Sequence, residues 1–588
     1  MKGTDRLVAD AAIVRFSGST EYEQTIPGGS SFRRVNEDQG DILVELPVEE
    51  GFWNQSQGSF NGEIEIVLFD EIGDLAVGTL EEVFLTGQEQ VPPNLSVVPG
   101  GMYFVNQAID ISGTNFLRPN EGTTWAVVSG DFSPEMGASF AISNAKIPVR
   151  WTGSRTSASF VIDPAAFGVQ LGSFSGSLSF ENELRTGDVF AGNVQSDFQI
   201  QIQQSFMANF KEDAGSRGQR IEIVGRGFVV QNPAKGYGMF LRFDGEFAYD
   251  DGSPLLEIRG PDALQRTPDE VLSDQVAVIS VWYEISGNRL FGIGANPGVF
   301  RGSVTPVLFD ERGEQEGLGW QGEFRVLPTK QMVYIKYLPG FTKGLEKYGI
   351  SNIEFEIRKK ILEFTNRDYS EVNVEFVNEV PLNFIDYATI EVGGPDPTGG
   401  NKFGYDNTCN VTEQKCKDTD NLFLGDYLGG VNQNSASEYD TPFGGVFIES
   451  FDYFSPTLTP ENEDASQDFD RILGPFMPAL GGKPVLGTEY PLGDRDQEIN
   501  TAIGLVSAVI ANTVTHEVGH SLGLAFFPQD RIRPGEQFHN RIPCDWCIMD
   551  SGSQRPFEER GEIVDGIPVF KDRNLNYLKD ILPIPTGL

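Results

Sequence analysis

The sequence predicts a multidomain chain in which tandem all-β sandwich modules are followed by an α+β domain. Three observations carry this. Residues before about 330 are rich in Gly, Ser, Phe and Val, in short alternating runs such as EIEIVLFD and SFVIDP separated by Gly and Asn clusters, the pattern of short strands between turns. A motif, Phe-x-Gly followed by a strand and an acidic turn, recurs at close to one domain length. From about Met332 the pattern changes to helix, strands, long acidic loops and a late apolar helix. At about 150 residues per domain, a length of 588 suits about four domains.

The repeat reads GSFNGEIEIVLFDEIG at 58–73, GSFSGSLSFENELRTG at 172–187 and GVFRGSVTPVLFDERG at 298–313, with Phe60, Phe174 and Phe300 spaced by 114 and 126 residues. A second echo, ISGTNF from Ile111 and IVGRGF from Ile223, is spaced by 112. Immunoglobulin-like sandwiches run to about 100 residues. Three such modules are therefore expected, at 1–100, 101–212 and 213–331, ahead of the α+β domain at 332–588. The competing expectation is one larger β domain built of generic hairpins.

In the last domain Ser351 and Glu354 have capping-box spacing. Ile353, Ile357, Ile361, Leu362 and Phe364 then recur at helical spacing, so SNIEFEIRKKILEF is expected as an amphipathic helix. EVNVEFV, in which Val372, Val374 and Phe376 alternate, YATIEVGG, and GGVFIESF from Gly444 are expected strands. AIGLVSAVIANTV is expected as a buried helix that runs into His516.

Charge and composition exclude some functions. Eighty-five acidic residues against 44 basic ones give a formal charge of −41, which repels nucleic acid and anionic membrane surfaces. No run of about eighteen apolar residues occurs, so membrane insertion is not expected. The opening MKGTDRLVADAAIVRF has no apolar signal stretch. Met1 then either opens a cytoplasmic protein or stands where a signal has been removed. The cysteines form two close pairs, Cys409/Cys416 and Cys544/Cys547, which suit disulfides in a secreted or cell-surface protein and equally suit a metal.

The chemistry concentrates in NTVTHEVGHSLGLAFFPQDRIRPGEQFHNRIPCDWCIMDSG, residues 512–552, which hold all three histidines of the chain: His516, His520 and His539. HEVGH fits H-E-x-x-H. Residues four apart on a helix share a face, so His516 and His520 present two imidazoles to one point. Glu517, about a hundred degrees around the helix, reaches a water and not the ion. Zinc suits imidazole ligands; a catalytic zinc acidifies a water and stabilises an oxyanion, and the neighbouring carboxylate is the general base. Gly523 allows a sharp bend by which the chain returns a third ligand.

These residues resemble the metzincin metallopeptidases, whose pattern is H-E-x-x-H-x-x-G-x-x-H/D followed by a Met-turn. His516, Glu517, His520 and Gly523 match, and CIMDSG resembles the Met-turn, with Met549 as the methionine beneath the metal. The Cys547-x-Met549 spacing is similar to the archaemetzincin branch. The departure is Phe526, which stands where the third ligand belongs. His539 and Asp530 are the two replacements. His539 is favoured, because imidazole is the commonest ligand and the chain otherwise avoids it, and FFPQDRIRPGEQF then reads as an inserted loop.

The resemblance implies a zinc-dependent endopeptidase with one catalytic zinc and an extended protein or peptide substrate along an edge strand, for which GGVFIESF is the candidate. The β modules are expected to bind substrate, a surface or other subunits. A Cys544–Cys547 disulfide bracing the Met-turn is expected, with a structural zinc on all four cysteines as second choice, and Cys409 with Cys416 as a further candidate disulfide. Calcium is a second candidate ion for the acidic loops, although no EF-hand spacing occurs. The alternative function is a non-catalytic adhesion or structural protein with a degenerate zinc domain. Phe526 favours that alternative and Glu517 opposes it.

Overall fold

A computed structural model of the chain describes residues 92–281 and 297–407 (120 and 186 aside), 425–429, 444–524 and 539–585 (541 aside), together with the strands within 11–86. Strands dominate it up to residue 337. Tyr22–Pro27, Ala11–Gly18, Ser59–Asp70 and Gly73–Thr86 form one antiparallel sheet in that order, and Phe32–Asn36 pairs with Asp41–Val44.

The next unit is a β-sandwich. Its larger sheet runs Phe140–Pro148, Gly122–Pro134, Gly172–Leu184, Val189–Gln203, Gly101–Phe104, and its smaller sheet Arg150–Ser154, Ser157–Val161, Ala108–Thr114, Asn94–Leu95. Phe160 of one sheet meets Phe180 of the other edge-on, with ring centroids 6.0 Å apart. The third unit repeats the plan. Phe206–Phe210, Arg220–Arg226, Val276–Ser280 and Glu270–Val271 form the smaller sheet, and Ala214–Ser216, Trp320–Leu327, Gly298–Asp310, Gly238–Tyr249 and Leu256–Ile258 run through the larger one. Phe210 and Phe324 join them at 4.8 Å. Asn94–Leu95 pairs inside the second unit and Phe206–Phe210 inside the third, so both units begin earlier than the boundaries expected at 100 and 212. Those opening strands are 2 and 5 residues long, too short for a readable alternation.

The sequence repeat has a packing cause. Each glycine of Phe-x-Gly faces a glycine on the neighbouring strand: Gly62 opposite Gly18, Gly176 opposite Gly130, Gly302 opposite Gly245. A Cβ on Gly176 would stand 2.6 Å from Gly130 Cα and 2.8 Å from the Phe174 ring; on Gly302 the same distances are 2.7 Å to Gly245 and 2.9 Å to Phe300. The phenylalanine therefore covers the bare glycine pair and is itself sealed, Phe174 and Phe300 both being buried. The second echo is alike: the ring of Phe116 lies 2.9 Å from a Cβ placed on Gly113, and that of Phe228 lies 2.5 Å from one on Gly225.

The remaining residues form an α+β unit. Its sheet runs Val374–Val377, Gln331–Tyr337, Ala388–Val392, Gly445–Val446, Gly404–Tyr405, parallel except for the last strand. Tyr427–Leu428 also pairs with Ala388–Val392. The third sandwich is tied to this unit by Arg220 N–H to the Asn383 carbonyl at 2.8 Å and Ile385 N–H to the Gly218 carbonyl at 2.9 Å. Helix Glu354–Asp368 forms where periodicity places one, burying Ile357 and Ile361. Its capping box does not form. Ser351–Ile353 turns as a 3-10 helix, and the Glu354 carboxylate accepts from Thr342 Oγ1 at 2.8 Å and pairs with Arg358.

Two further expectations change. GGVFIESF gives only the two-residue strand Gly445–Val446, followed by the 3-10 helix Ile448–Phe454. That strand is bonded on both sides, so it is interior to the sheet, and among the described residues the edge position belongs to Gly404–Tyr405. Helix Asp496–Ser521 is 26 residues long and, by length and composition, apolar enough to cross a membrane. The count of uninterrupted apolar residues misses it because Thr, Ser and Asn punctuate the run. Its side chains pack into the core around Ile357, Ile361 and Tyr369, and Ser507 Oγ donates to the Ile357 carbonyl at 3.2 Å, which makes it the central helix of the unit.

Candidate metal centre

Helix Asp496–Ser521 carries His516, Glu517 and His520 on its last turns. It ends because Gly523 adopts a left-handed conformation, φ 86°. Leu524 N–H then returns to the Gly519 carbonyl and Gly523 N–H to the His520 carbonyl, both at 2.9 Å, the hydrogen-bond pair of a Schellman cap. Residues 525–538 follow, outside the described residues, so Phe526, Asp530 and the loop that contains them are not placed; Cys409 and Cys416 also lie outside.

His539 stands against the other two imidazoles. Its ring centroid is 5.3 Å from that of His516 and 5.3 Å from that of His520, and the latter two are 4.6 Å apart. Ligand atoms of all three lie within 4.8 Å of one another. His516 Nδ1–H donates to the Ile548 carbonyl at 2.6 Å, which fixes its tautomer and leaves Nε2 facing His520 Nε2 at 3.1 Å. Burial, followed by the neighbouring imidazoles, pushes His516 well below the usual imidazole range and His520 down to about 3. Both therefore present lone pairs at neutral pH. Three imidazoles with no thiolate among them are a donor set that fits zinc.

The return of His539 depends on the residue after it. Asn540 N–H donates to the Met549 carbonyl at 2.9 Å. Asn540 Nδ2 donates to Asp550 Oδ1 at 2.7 Å, and Asn540 Oδ1 accepts from Asn574 Nδ2 at 3.1 Å. Asp550 Oδ2 takes the Cys544 N–H at 2.8 Å. Asp550 is 1% exposed. Met549 is sealed beneath the helix; a Cβ on Gly519 would stand 2.5 Å from its Sδ, so only glycine lets the turn pack there. The Cys544–Cys547 disulfide closes the same turn, and the Ile548 N–H donates to the Val569 carbonyl at 2.9 Å. Buried Arg555 donates to the Ile548 carbonyl at 3.3 Å and to Asn512 of the helix. Asn540, Asp550, Asn574 and Arg555 have no periodicity or spacing to mark them, and sequence reasoning missed them. The one available signal was an acidic residue directly after the turn methionine.

Glu517 is 6% exposed and faces a cleft of about 430 Å³. Gly404 lets the edge strand lie directly on it, since a Cβ there would stand 2.5 Å from Glu517 Oε1. The Asp406 N–H also bonds the Glu517 carboxylate. Burial, with the Asp406 carboxylate second, holds Glu517 well above the usual carboxylate range. Phe403, Tyr405, Tyr453 and Phe454 form aromatic walls. The loop leading to the edge strand is pinned by Asp396 Oδ2, which accepts from Gly400 N–H at 3.0 Å and Lys402 N–H at 2.9 Å. In chemical terms the cleft combines three converging imidazoles that could hold a cation, a buried carboxyl and a strand edge.

No family model matches the chain, and no curated protein matches it. Solved structures with partial similarity include the Bacteroides ovatus mixed-linkage glucan utilization locus protein SGBP-B in complex with a mixed-linkage heptasaccharide, at 10% identity over 54% of this chain and 60% of that one, TM-score 0.15. The chicken CNTN1 FN1-FN3 domains match at 11% identity over 55% of this chain and 91% of theirs, TM-score 0.12. A marsupial T cell receptor matches at 10% identity over 55% and 94%, TM-score 0.13. Likeness at this level bears on no function; the β-sandwich character of the chain rests on its own strand pairing.

Proposed function

We propose that the chain is a zinc-dependent endopeptidase of the metzincin type. The observation that carries the reading is the convergence of His516, His520 and His539, with Glu517 beside them in an open cleft. The three imidazoles would hold the ion, and Met549 and the Asp550–Asn540 pair would keep them in place. When bound, zinc supplies Lewis acidity toward a water and a substrate carbonyl. Glu517 takes the proton of the attacking water and delivers it to the leaving amine. Its burial favours this role, because a carboxylate held above its usual range is a stronger base. A substrate strand would pair with the main chain of Gly404–Tyr405 and lie across the aromatic walls. The sandwich units would bind substrate, a surface or other subunits, and the Cys544–Cys547 disulfide suits a secreted or surface protein.

The second reading is a non-catalytic adhesion or structural protein in which the metal only staples the last unit. It is favoured by the two β-sandwiches and the further β-sheet among the described residues up to 327, and by Phe526 at the ligand position. One experiment separates the two: zinc content, and cleavage of an unfolded protein, for wild type and Glu517→Ala. The peptidase reading predicts that the variant keeps its zinc and loses about 100- to 10,000-fold in rate. Wild type that binds zinc and cleaves nothing would leave the structural reading.

A further inference from the structure

We propose that Arg560 is the selectivity residue of this cleft and receives a carboxylate of the bound peptide. The inference rests on reading the cleft as a peptide site, and it assigns the chemical class of ligand that the site prefers.

Arg560 lines the cleft with Glu517 and the three histidines, yet it is only 5% exposed. Its hydrogen bonds go to neutral carbonyls: Nη2 to Gly552 at 3.0 Å and Nε to Arg555 at 3.4 Å. Its guanidinium stacks over the Phe403 ring, 5.4 Å from the centroid. Among the described residues no carboxylate stands within ion-pair distance of it, whereas its neighbour Arg555 has Glu559 at 3.2 Å. Nη1 has no protein partner among the described residues and is not sealed in the interior.

A buried guanidinium without a counter-ion is an incomplete arrangement. Burial pulls Arg560 down to about 9, with the nearby Arg555 adding to the fall, and it still leaves the group charged at neutral pH. Glu559 is the acidic group that attracts it most, followed by Glu517 and Asp464, and the Glu559 carboxylate is already engaged by Arg555 at 3.2 Å. Asp464 is exposed at the mouth and solvated, and Glu517 is turned to the edge strand and the Asp406 N–H. An arriving carboxylate would meet a desolvated guanidinium with Nη1 open to it, a setting in which a charge-assisted hydrogen bond discriminates strongly against a neutral group. The carboxylate comes from one of two sources, an acidic side chain or a free C-terminus.

The test uses the full chain, zinc-loaded, with Glu517→Gln so that nothing turns over. Binding is titrated with capped alanine-rich octapeptides carrying one Glu, or one Gln, at each position in turn, and with an uncharged octapeptide whose C-terminus is free or amidated. At one position, or for the free C-terminus, the carboxylate is expected to bind at least about tenfold tighter than its neutral counterpart. Adding Arg560→Met should reduce that ratio to within about twofold. A structural role alone would weaken every peptide equally and leave the ratio intact. Arg560→Lys, checked by circular dichroism, should fold and give an intermediate ratio, which covers the case in which the methionine variant does not fold. Equal binding of charged and neutral peptides, a ratio that survives Arg560→Met, or no binding at all overturns the proposal. Cleavage by wild type is scored separately. Discrimination without cleavage would remove the peptidase reading and keep the carboxylate site; cleavage without discrimination would do the reverse.

Discussion

Replacing Asp550 with alanine should loosen the third histidine without touching it. The Asp550 carboxylate is 1% exposed and accepts from Asn540 Nδ2 at 2.7 Å and from Cys544 N–H at 2.8 Å. Alanine leaves both donors without an acceptor, a loss of about 1–3 kcal/mol each. Against this, burial already disfavours the charged carboxyl, whose affinity for a proton is raised mainly by desolvation. The net destabilisation should therefore fall near the lower end, about 2–3 kcal/mol in denaturant unfolding. The effect on zinc should also be graded. Asn540 keeps its N–H bond to the Met549 carbonyl at 2.9 Å, so His539 is displaced and not released. Groups that orient metal ligands typically contribute 10- to 100-fold in affinity, and the surviving bond argues for about tenfold here. Competition with a chelator of known affinity measures it. Asp550→Asn, which keeps one acceptor, should lose less. If zinc affinity is unchanged while stability falls, His539 is held by something other than this pair and the reasoning fails.

The glycine pairs make a second prediction: Gly176→Ala should destabilise its sandwich by about 1–3 kcal/mol, seen as a lower denaturant midpoint, because its Cβ would stand 2.6 Å from Gly130 Cα. A neutral result would mean that the strands spread at no cost. A third concerns pH in the metal-free protein. His516 and His520 lie below the ordinary imidazole value of 6.5, His520 at about 3, so over that window the unfolded chain binds protons that the folded chain refuses. Stability should then fall as pH drops from about 6.5 toward 3, by about 1.4 kcal/mol per unit for each histidine. His520→Gln should show a shallower slope, and an equal slope would contradict the burial of that ring.

Legibility in the sequence followed the physics of each element. Helix Asp496–Ser521 and its histidine pair could be read because four-residue spacing and a terminal glycine are local features, and Gly523 does end it. Phe-x-Gly could be read as a repeat, but its cause could not, since the glycine it matches is 46 residues away in one unit and 57 in another. Ser351 and Glu354 have the right spacing for a capping box, yet a nearby Thr342 and Arg358 compete for the carboxylate. GGVFIESF has strand composition throughout, and tertiary packing takes all but two residues of it into a 3-10 helix. No local pattern marks Arg555 or Arg560; only the fold shows that both are buried.

The central claim is that three imidazoles share one ion. X-ray absorption at the zinc edge, on protein loaded with one equivalent of zinc, tests it most directly. The account predicts three nitrogen ligands at about 2.0–2.1 Å with imidazole scattering, and two in His539→Ala. A first shell containing sulfur, or an imidazole count that His539→Ala does not change, would contradict it.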